Sequence, residues 1–213
     1  MKKFKIKICG IRKKTTIECC LKNKIQYFGL VFYEKSPRYI DINKSIELIK
    51  FAKNKPITPV GVFFNKDIDD IIKIIKKTKL DHIQLHGNED INYINNLRDQ
   101  FNLKIIKSIG IRKKQDLYKV KKFKQIDYFL FDYKPNVNEL PGGNAKQFNW
   151  DLLNNINIDK PWFISGGINI KNITEIQKKL FPYGIDISSG VEDKIGIKSS
   201  KKITELINKF NVR

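Results

Sequence analysis

Cys9 and Asp132, each at the end of a predicted strand, have side chains suited to move protons. Strand alternation places Cys9 on the same face as Lys7, away from Ile6 and Ile8, so its thiol should point inward. A neighbouring cation raises the thiolate fraction of a thiol. We therefore expect Lys7 to favour Cys9 as a base or nucleophile, with an inert strand-end cysteine as the alternative.

Asp132 directly follows an apolar run at residues 128–131 and by parity shares its inward face with Leu130. Apolar surroundings disfavour the charged form of a carboxylic acid. Asp132 is therefore a candidate general acid near neutral pH. A loop-solvating or helix-capping role is the alternative.

Small residues after the last two predicted strands are suited to bind a phosphate. Backbone N–H groups at glycines can approach an anion, and a helix N-terminus adds partial positive charge. We expect one such helix to start near Asn169 and a short extra helix to follow the last strand. Tight turns without a ligand are the alternative. The candidate phosphate-binding residues are Gly166, Gly167, Ser188, Ser189 and Gly190.

Two further polar residues follow earlier strands. Arg38 follows Pro37, which stiffens the loop, and a guanidinium can bind a carboxylate through two hydrogen bonds. In so basic a chain, a solvated arginine is the alternative. His86 shares a strand face with Gln84. We interpret His86 as a polar core residue, with a substrate contact as the alternative.

Eight short apolar runs alternate with segments of helical spacing, at intervals of about 25 residues, which is typical of βαβ units and a parallel sheet. One such helix is marked by Ile68, Ile71, Ile72 and Ile75. The predicted strands are residues 4–9, 27–32, 60–64, 82–85, 103–107, 128–131, 162–164 and 185–188. We predict an α/β fold, a (β/α)8 TIM barrel, with a doubly wound open sheet as the alternative.

No linker, low-complexity tract or composition shift divides the chain, so we predict a single domain over residues 1–213. In a barrel the active site lies at the carboxyl ends of the strands. The candidate residues above all fall at such ends. The lysine-rich segment 112–124 is interpreted as the solvated face of the fifth helix.

The composition limits the class of protein. A hydrophobic fraction of 41% supports a sizeable core, and 42 Lys+Arg against 22 Asp+Glu give a net charge of +20. This charge favours anionic partners. Lys, Ile and Asn are abundant everywhere, however, so compositional drift explains it equally well. Cys9, Cys19 and Cys20 form neither a disulfide framework nor a metal site, and no run approaches a membrane span, so we expect a cytoplasmic protein.

Five motifs in order along the chain resemble those of the phosphoribosylanthranilate isomerase family. The resemblance spans residues 7 to about 198. It implies the barrel, no cofactor or metal, and an Amadori rearrangement in tryptophan biosynthesis. It also implies a small anionic substrate as partner, and a monomer or homodimer. The motifs are Lys7-Ile8-Cys9-Gly10, Ser36-Pro37-Arg38-Tyr39, Gln84-Leu85-His86-Gly87, Gly166-Gly167 and Asp186-Ile187-Ser188-Ser189-Gly190-Val191-Glu192.

The resemblance also implies site roles. Asp132 would protonate the ribose ring oxygen, Cys9 would remove the C2 proton, and Arg38 would hold the anthranilate carboxylate. The glycine and serine segments would hold the phosphate. Further substrate contacts would come from His86, Gly142 and Gly143.

One loop departs from the family pattern. Gly142-Gly143-Asn144-Ala145-Lys146 stands where the family usually has Gly-Gly-Thr/Ser-Gly-Lys. Alanine adopts a positive φ less readily than glycine, so closure of this loop over a substrate is less favoured.

The sequence is compatible with three rival functions. A histidine-pathway isomerase shares the barrel and the Amadori chemistry but resembles a two-aspartate design, against which Cys9 argues. The charge suggests a nucleic-acid binder, but the lysines are dispersed and no nucleic-acid module is recognised. We expect no specific nucleic-acid partner and no membrane association. The third rival is a degenerate barrel kept as a binding or scaffold protein.

Overall fold

Eight parallel strands close into a barrel in chain order, with β8 hydrogen-bonded to β1. The computed structural model describes residues 4–211 except 137, 138, 140, 141, 144 and 155, so Asn144 lies outside the described residues. The prediction of a TIM barrel over an open sheet is confirmed. The strands are β1 Lys5–Cys9, β2 Tyr27–Val31, β3 Thr58–Phe63, β4 His82–Leu85, β5 Lys104–Ile111, β6 Tyr128–Tyr133, β7 Trp162–Ile164 and β8 Gly184–Ile187.

Helices connect most of the strands and cover the outside of the barrel. A small antiparallel hairpin, β9 Glu192–Lys194 with β10 Ile197–Lys198, follows the last barrel strand. No helix within the described ranges is long and apolar enough to cross a bilayer. The α-helices are α1 Lys14–Lys22, α2 Ile42–Ala52, α3 Ile68–Thr78, α4 Ile91–Gln100, α5 Ile173–Lys179 and α6 Ser200–Asn211, and 3₁₀ helices span Lys114–Lys122, Trp150–Leu153 and Ser189–Val191.

The segment after β5 differs from the predicted fifth helix. Its lysines are exposed as expected, but residues Lys114–Lys122 form a 3₁₀ helix rather than an α-helix. Asp116 is buried there and accepts hydrogen bonds from the backbone amides of Arg112 and Lys113, both at 3.0 Å. Leu117 is its one buried apolar residue, so there is no long apolar stripe to stabilise a full α-helix.

Strand and helix periodicity determine which side chains face the core. Ile6 and Ile8 of β1 are buried in the layer between sheet and helices. Ile71, Ile74 and Ile75 do the same on α3, where apolar side chains recur at helical spacing.

Large side chains fill the amino-terminal half of the barrel interior. The hydroxyl oxygens of Tyr27 and Tyr183 lie 3.2 Å apart among them. Packing of this kind closes the barrel at that end and leaves the carboxyl ends of the strands as the open end. The residues of this inner cluster are Val60, Ile106, Leu130 and Phe163, packed against Tyr27, Tyr128 and Tyr183.

A buried ion pair holds the loop after β4 against β5. Lys107 Nζ lies 2.7 Å from Glu89 Oε2 and donates to the Gly87 carbonyl at 2.7 Å, and both ionic side chains are 2% exposed. The backbone amides of Asn65 and Gly87 also donate to Glu89, at 2.9 and 3.0 Å. Glu89 thus ties two βα loops together at the rim of the barrel.

Breaking this pair should be costly. We expect Lys107→Met to lower the free energy of unfolding by about 3–5 kcal/mol, because Glu89 would keep a buried charge without its cation. Urea unfolding measures the loss. The matched control is Lys104→Met on the same strand, whose exposed pair with Asp127 at 3.0 Å should be worth less than about 1 kcal/mol. Equal losses in the two variants would contradict the prediction.

Candidate active site

The carboxyl ends of the strands surround a cleft that contains most of the predicted site. Cys9 at the end of β1, Arg38 after β2, His86 after β4 and Asp132 near the end of β6 all line it. The structure therefore brings the two candidate proton-transfer residues and the candidate carboxylate-binding residue together. The other lining residues are Val31, Tyr33, Ser36, Val62, Phe63, Phe64, Gln84, Gly142, Gly143, Ser165, Asp186 and Ser188.

A smaller cleft adjoins the first one and contains most of the predicted phosphate-binding residues. Gly166, Gly167, Ser188 and Ser189 line it, and Asp132 and Ser188 line both clefts. A ligand with two anionic ends could therefore span from one cleft to the other past Asp132.

The glycine pair after β7 is required by the backbone. Gly166 and Gly167 have φ angles of +89° and +65°, in the left-handed region that disfavours side chains. A Cβ on Gly167 would lie 3.0 Å from the carbonyl oxygen of Ala145, so the loops after β6 and β7 are in close contact. Ala145 itself has a φ of +56°, a conformation that costs a residue with a Cβ roughly 1–2 kcal/mol.

Gly190 has a different place from the other predicted phosphate-binding residues. It lines neither of these two clefts, and a Cβ on it would lie 1.9 Å from the Ile168 carbonyl oxygen. Its role visible in the structure is to let the loop after β8 approach the loop after β7. The predicted short helix in this loop is present as the 3₁₀ helix Ser189–Val191.

The helix predicted near Asn169 is present, but it starts four residues later. The side-chain oxygen of Asn169 accepts from the backbone amide of Lys171 at 2.8 Å, and its carbonyl oxygen accepts from the Ile173 amide at 3.1 Å, so Asn169 caps one turn that leads into the helix. Helix α5 begins only at Ile173. The glycine pair is therefore separated from the helix N-terminus by this turn.

The Cys9 thiol is buried beside an ammonium group. Gly29 on the neighbouring strand makes room for both, since a Cβ there would lie 2.8 Å from Cys9 Sγ and 3.2 Å from Lys7 Nζ. The hydroxyl of Ser188 donates to the Cys9 carbonyl at 3.2 Å, which joins the end of β1 to the loop after β8.

Burial dominates the acidity of this thiol. It raises the pKa of Cys9 above the ordinary value, although the charges of Lys7 and Lys198 act in the opposite direction. The prediction that Lys7 favours the thiolate is correct for the effect of Lys7 itself. It is wrong for the net result, because desolvation in the closed barrel outweighs the cation.

Alkylation should report this raised pKa. We expect the rate of Cys9 alkylation by iodoacetamide to keep rising with pH beyond about 8.5, the ordinary thiol pKa, instead of levelling off there, since the thiolate is the reactive form. Mass spectrometry of the peptide that contains Cys9 measures the rate at each pH. The Cys9→Ala variant gives the background from Cys19 and Cys20, which are also buried. A rate that levels off at or below a pH of about 8.5 would refute the expectation.

Asp132 lies in a chain of polar side chains across the cleft. Its Oδ1 accepts from the Tyr133 amide at 2.7 Å, and its Oδ2 lies 3.4 Å from His86 Nε2. Gln84, 1% exposed, has its amide nitrogen 2.9 Å from His86 Nδ1. With Gln84 as donor, neutral His86 carries its proton on Nε2, toward Asp132. His86, interpreted from the sequence as a polar core residue, is half-buried and lines the cleft.

Sequence reasoning missed the role of a buried ion pair beneath the thiol. Lys7 Nζ lies 3.0 and 3.1 Å from the two carboxylate oxygens of Asp186, and the two residues are 0% and 4% exposed. Burial alone would lower the pKa of Lys7, but Asp186 and Cys9 outweigh it and raise that pKa. The available signal was parity, which places Lys7 inside the barrel with a charge that needs a partner.

Arg38 is also paired within the protein, which the sequence did not indicate. It is 4% exposed, and its Nε and Nη2 each donate to one carboxylate oxygen of Glu192 at 2.8 Å. Nη2 also approaches the Gly143 carbonyl at 3.4 Å. The guanidinium is therefore held in place from the side of the hairpin β9–β10.

Comparison with known proteins places this barrel in a family. A family model for N-(5'-phosphoribosyl)anthranilate (PRA) isomerase matches residues 6–209. The N-(5'-phosphoribosyl)anthranilate isomerase of Thermoanaerobacter pseudethanolicus is 40% identical over 205 residues, covering 96% of this chain and 97% of that protein. The isomerase of Clostridium acetobutylicum is also 40% identical over 205 residues, covering 95% and 96%.

Solved structures of the same family also resemble this chain over nearly its whole length. Phosphoribosyl anthranilate isomerase from Thermotoga maritima superposes with a TM-score of 0.87 at 26% identity, covering 97% of this chain and 98% of that one. A phosphoribosyl anthranilate isomerase in complex with reduced 1-(o-carboxyphenylamino)-1-deoxyribulose 5-phosphate superposes at 0.81 with 25% identity and the same coverage. With its barrel, its strand-end motifs and these matches over nearly its whole length, the chain belongs to the N-(5'-phosphoribosyl)anthranilate isomerase family.

Proposed function

We propose that this chain catalyses the Amadori rearrangement of N-(5-phosphoribosyl)anthranilate to 1-(2-carboxyphenylamino)-1-deoxyribulose 5-phosphate, a step of tryptophan biosynthesis. Family membership supports the reaction. The observation that carries the site assignment is the shared cleft of Cys9 and Asp132, with Arg38 in its lining and the glycine pair after β7 next to it. An acid and a base on different strands can then act on one sugar.

The substrate would be bound through its two anionic ends. Arg38 would hold the anthranilate carboxylate, and backbone amides at the smaller cleft would hold the phosphate. His86, Gly142 and Gly143 would contact the substrate between these ends. The aromatic ring would lie against the apolar wall formed by Val31, Tyr33, Val62, Phe63 and Phe64.

Asp132 would begin the reaction as a general acid. It donates a proton to the ribose ring oxygen while the bond from that oxygen to C1 breaks, and the nitrogen lone pair forms the C1=N iminium. The carboxylate left on Asp132 would then accept a hydrogen bond from His86 Nε2, which lies 3.4 Å from Oδ2.

Cys9 would complete the rearrangement as a general base. Its thiolate, the minor form near neutral pH because burial raises the pKa of Cys9, removes the C2 proton, and the electron pair forms the C1=C2 bond while the iminium nitrogen becomes neutral. The resulting enolamine tautomerises: the C2 hydroxyl loses its proton, C1 gains one, and C2 becomes the ketone. The iminium makes the C2 proton acidic, so the residues of this chain suffice and the proposal needs no cofactor.

A fluorescence assay tests the proposal. Loss of phosphoribosylanthranilate fluorescence on addition of the purified chain, with accumulation of the rearranged product, is the expected result. A folded chain that leaves this substrate unchanged would refute the proposed function. Activity confined to the histidine-pathway sugar phosphate, or DNA retention with steep salt dependence and no catalysis, would support the rival functions instead.

Cellular location and assembly are part of the proposal. We expect a cytoplasmic enzyme that acts as a monomer or homodimer on a small phosphorylated substrate. One solved relative, from Thermotoga maritima, is described as monomers of a dimeric isomerase.

A further inference from the structure

The hairpin after β8 places two charged side chains beside the open end of the barrel. Glu192 and Lys198 are opposite each other in the pairing of β9 with β10. Their side chains are 5% and 2% exposed, although the other two residues of β9, Asp193 and Lys194, are exposed. The hairpin therefore directs one carboxylate and one ammonium inward.

The inward carboxylate joins residues from three parts of the chain. Glu192 accepts from Nε and Nη2 of Arg38 at 2.8 Å each, and from Lys198 Nζ at 2.6 Å. Lys198 also donates to the Ser188 carbonyl at 3.1 Å and to its hydroxyl at 3.2 Å. The loop after β2 is thus tied through Glu192 and Lys198 to the loop after β8.

The charges of this cluster do not cancel. One carboxylate faces one guanidinium and one ammonium, so the cluster retains one positive charge in a buried setting. Burial alone would raise the pKa of Glu192, but Arg38 and Lys198 outweigh it and hold that pKa below its ordinary value. Glu192 is therefore a carboxylate at neutral pH, and the excess positive charge favours an additional anion.

The geometry leaves one end of the guanidinium for that anion. Within the described residues, the side-chain hydrogen bonds of Arg38 come from Nε and Nη2. Nη1 lies beside Gly143, where a Cβ would come within 2.2 Å of it, and Arg38 lines the larger cleft. A guanidinium held at two nitrogens loses little further freedom when it binds a ligand through the third.

We propose that Glu192 is the positioning residue for Arg38, holding its guanidinium so that Nη1 is presented to the carboxylate of the substrate. The proposal rests on the proposed function, because it assigns the substrate carboxylate to Arg38. It goes further because it makes Glu192 responsible for the preference for a carboxylated aromatic ring, although Glu192 need not touch the substrate.

Two ligands that differ by a single carboxylate test the proposal. The first is reduced 1-(o-carboxyphenylamino)-1-deoxyribulose 5-phosphate, and the second is the same compound with an unsubstituted phenyl ring. Isothermal titration calorimetry measures both dissociation constants for the wild type and for Glu192→Gln. We expect Glu192→Gln to weaken binding of the carboxylated ligand roughly tenfold to a hundredfold, as for one oriented hydrogen bond to a charged group. The phenyl ligand should change less than about threefold, because it does not use Arg38.

Two further variants make the result specific. Asp193→Asn, the next residue on β9, removes an exposed charge that pairs with Lys202 at 3.2 Å and should leave both constants unchanged. Glu192→Asp keeps the buried charge but is too short to reach both nitrogens. Glu192→Asp should also weaken binding of the carboxylated ligand more than that of the phenyl ligand, but to a smaller degree. It replaces Glu192→Gln in the test if that variant does not fold.

The outcomes test the positioning role of Glu192 and the proposed function separately. Equal loss for both ligands, or no loss for either, would show that Glu192 only supports the hairpin and would overturn the positioning role. A wild-type chain that binds neither ligand would refute the proposed function itself, and the positioning role with it.

Discussion

We expect Asp132→Asn to lower kcat at least about a hundredfold, the lower range for removal of a general acid. Asparagine has nearly the shape of aspartic acid, so it can keep the hydrogen bond from the Tyr133 amide, which is 2.7 Å from Oδ1. It has no acidic proton to give to the ring oxygen. The loss should therefore fall on kcat more than on KM, and the fluorescence assay measures both.

The matched control for this variant lies at the other end of the same strand. Asp127, directly before β6, is held by Arg98 at 2.6 Å and Lys104 at 3.0 Å, away from the cleft. Asp127→Asn should lower stability while kcat stays within about threefold of wild type, since it removes no acid from the cleft. Full activity of Asp132→Asn would remove Asp132 from the role of general acid.

The Cys9→Ala variant should show a loss of similar size, at least about a hundredfold in kcat. Alanine cannot take the C2 proton, so the reaction would stop after ring opening. Substrate binding should change little, because the proposed anion contacts are made by Arg38 and by backbone amides in the loops after β7 and β8. Single-turnover kinetics with the same assay separates binding from the proton transfer.

The control for this variant is Cys19, a buried cysteine far from the proposed chemistry. Cys19 is buried in α1, where its Sγ approaches the Ser200 carbonyl at 3.5 Å, outside both clefts. Cys19→Ala should keep wild-type kcat. If Cys9→Ala also kept it, Cys9 would not be the base, and Asp186 or His86 would need to be tested in its place.

Most of the fold could be predicted from local pattern. The predicted strands at 82–85 and 162–164 coincide with β4 and β7, and the others differ from the observed strands mainly at their ends. Apolar alternation sufficed because each strand has one face against the helices. It failed after β5 and after β7, where a 3₁₀ helix and a capped turn depend on Asp116 and Asn169 rather than on an apolar stripe.

For the site, the sequence predicted only that the candidate residues lie at the ends of strands. The barrel rule places Cys9, Arg38, His86 and Asp132 at one end, and the structure brings them into one cleft. Which groups pair with them was not predictable. Glu192 ends one of the five motifs that resemble the family, but nothing in its neighbourhood along the chain indicated Arg38 as its partner.

The sequence by itself determined the alternation of strands and helices and the inward direction of Lys7, Cys9 and Asp132, because these follow from residue periods of 2 and 3.6. Only the tertiary structure decided the partners. Lys7 pairs with Asp186 across 179 positions and Arg38 with Glu192 across 154, and both pairs depend on closure of the barrel. The same closure desolvates Cys9 and reverses the expected direction of its pKa, since burial is a property of the whole fold.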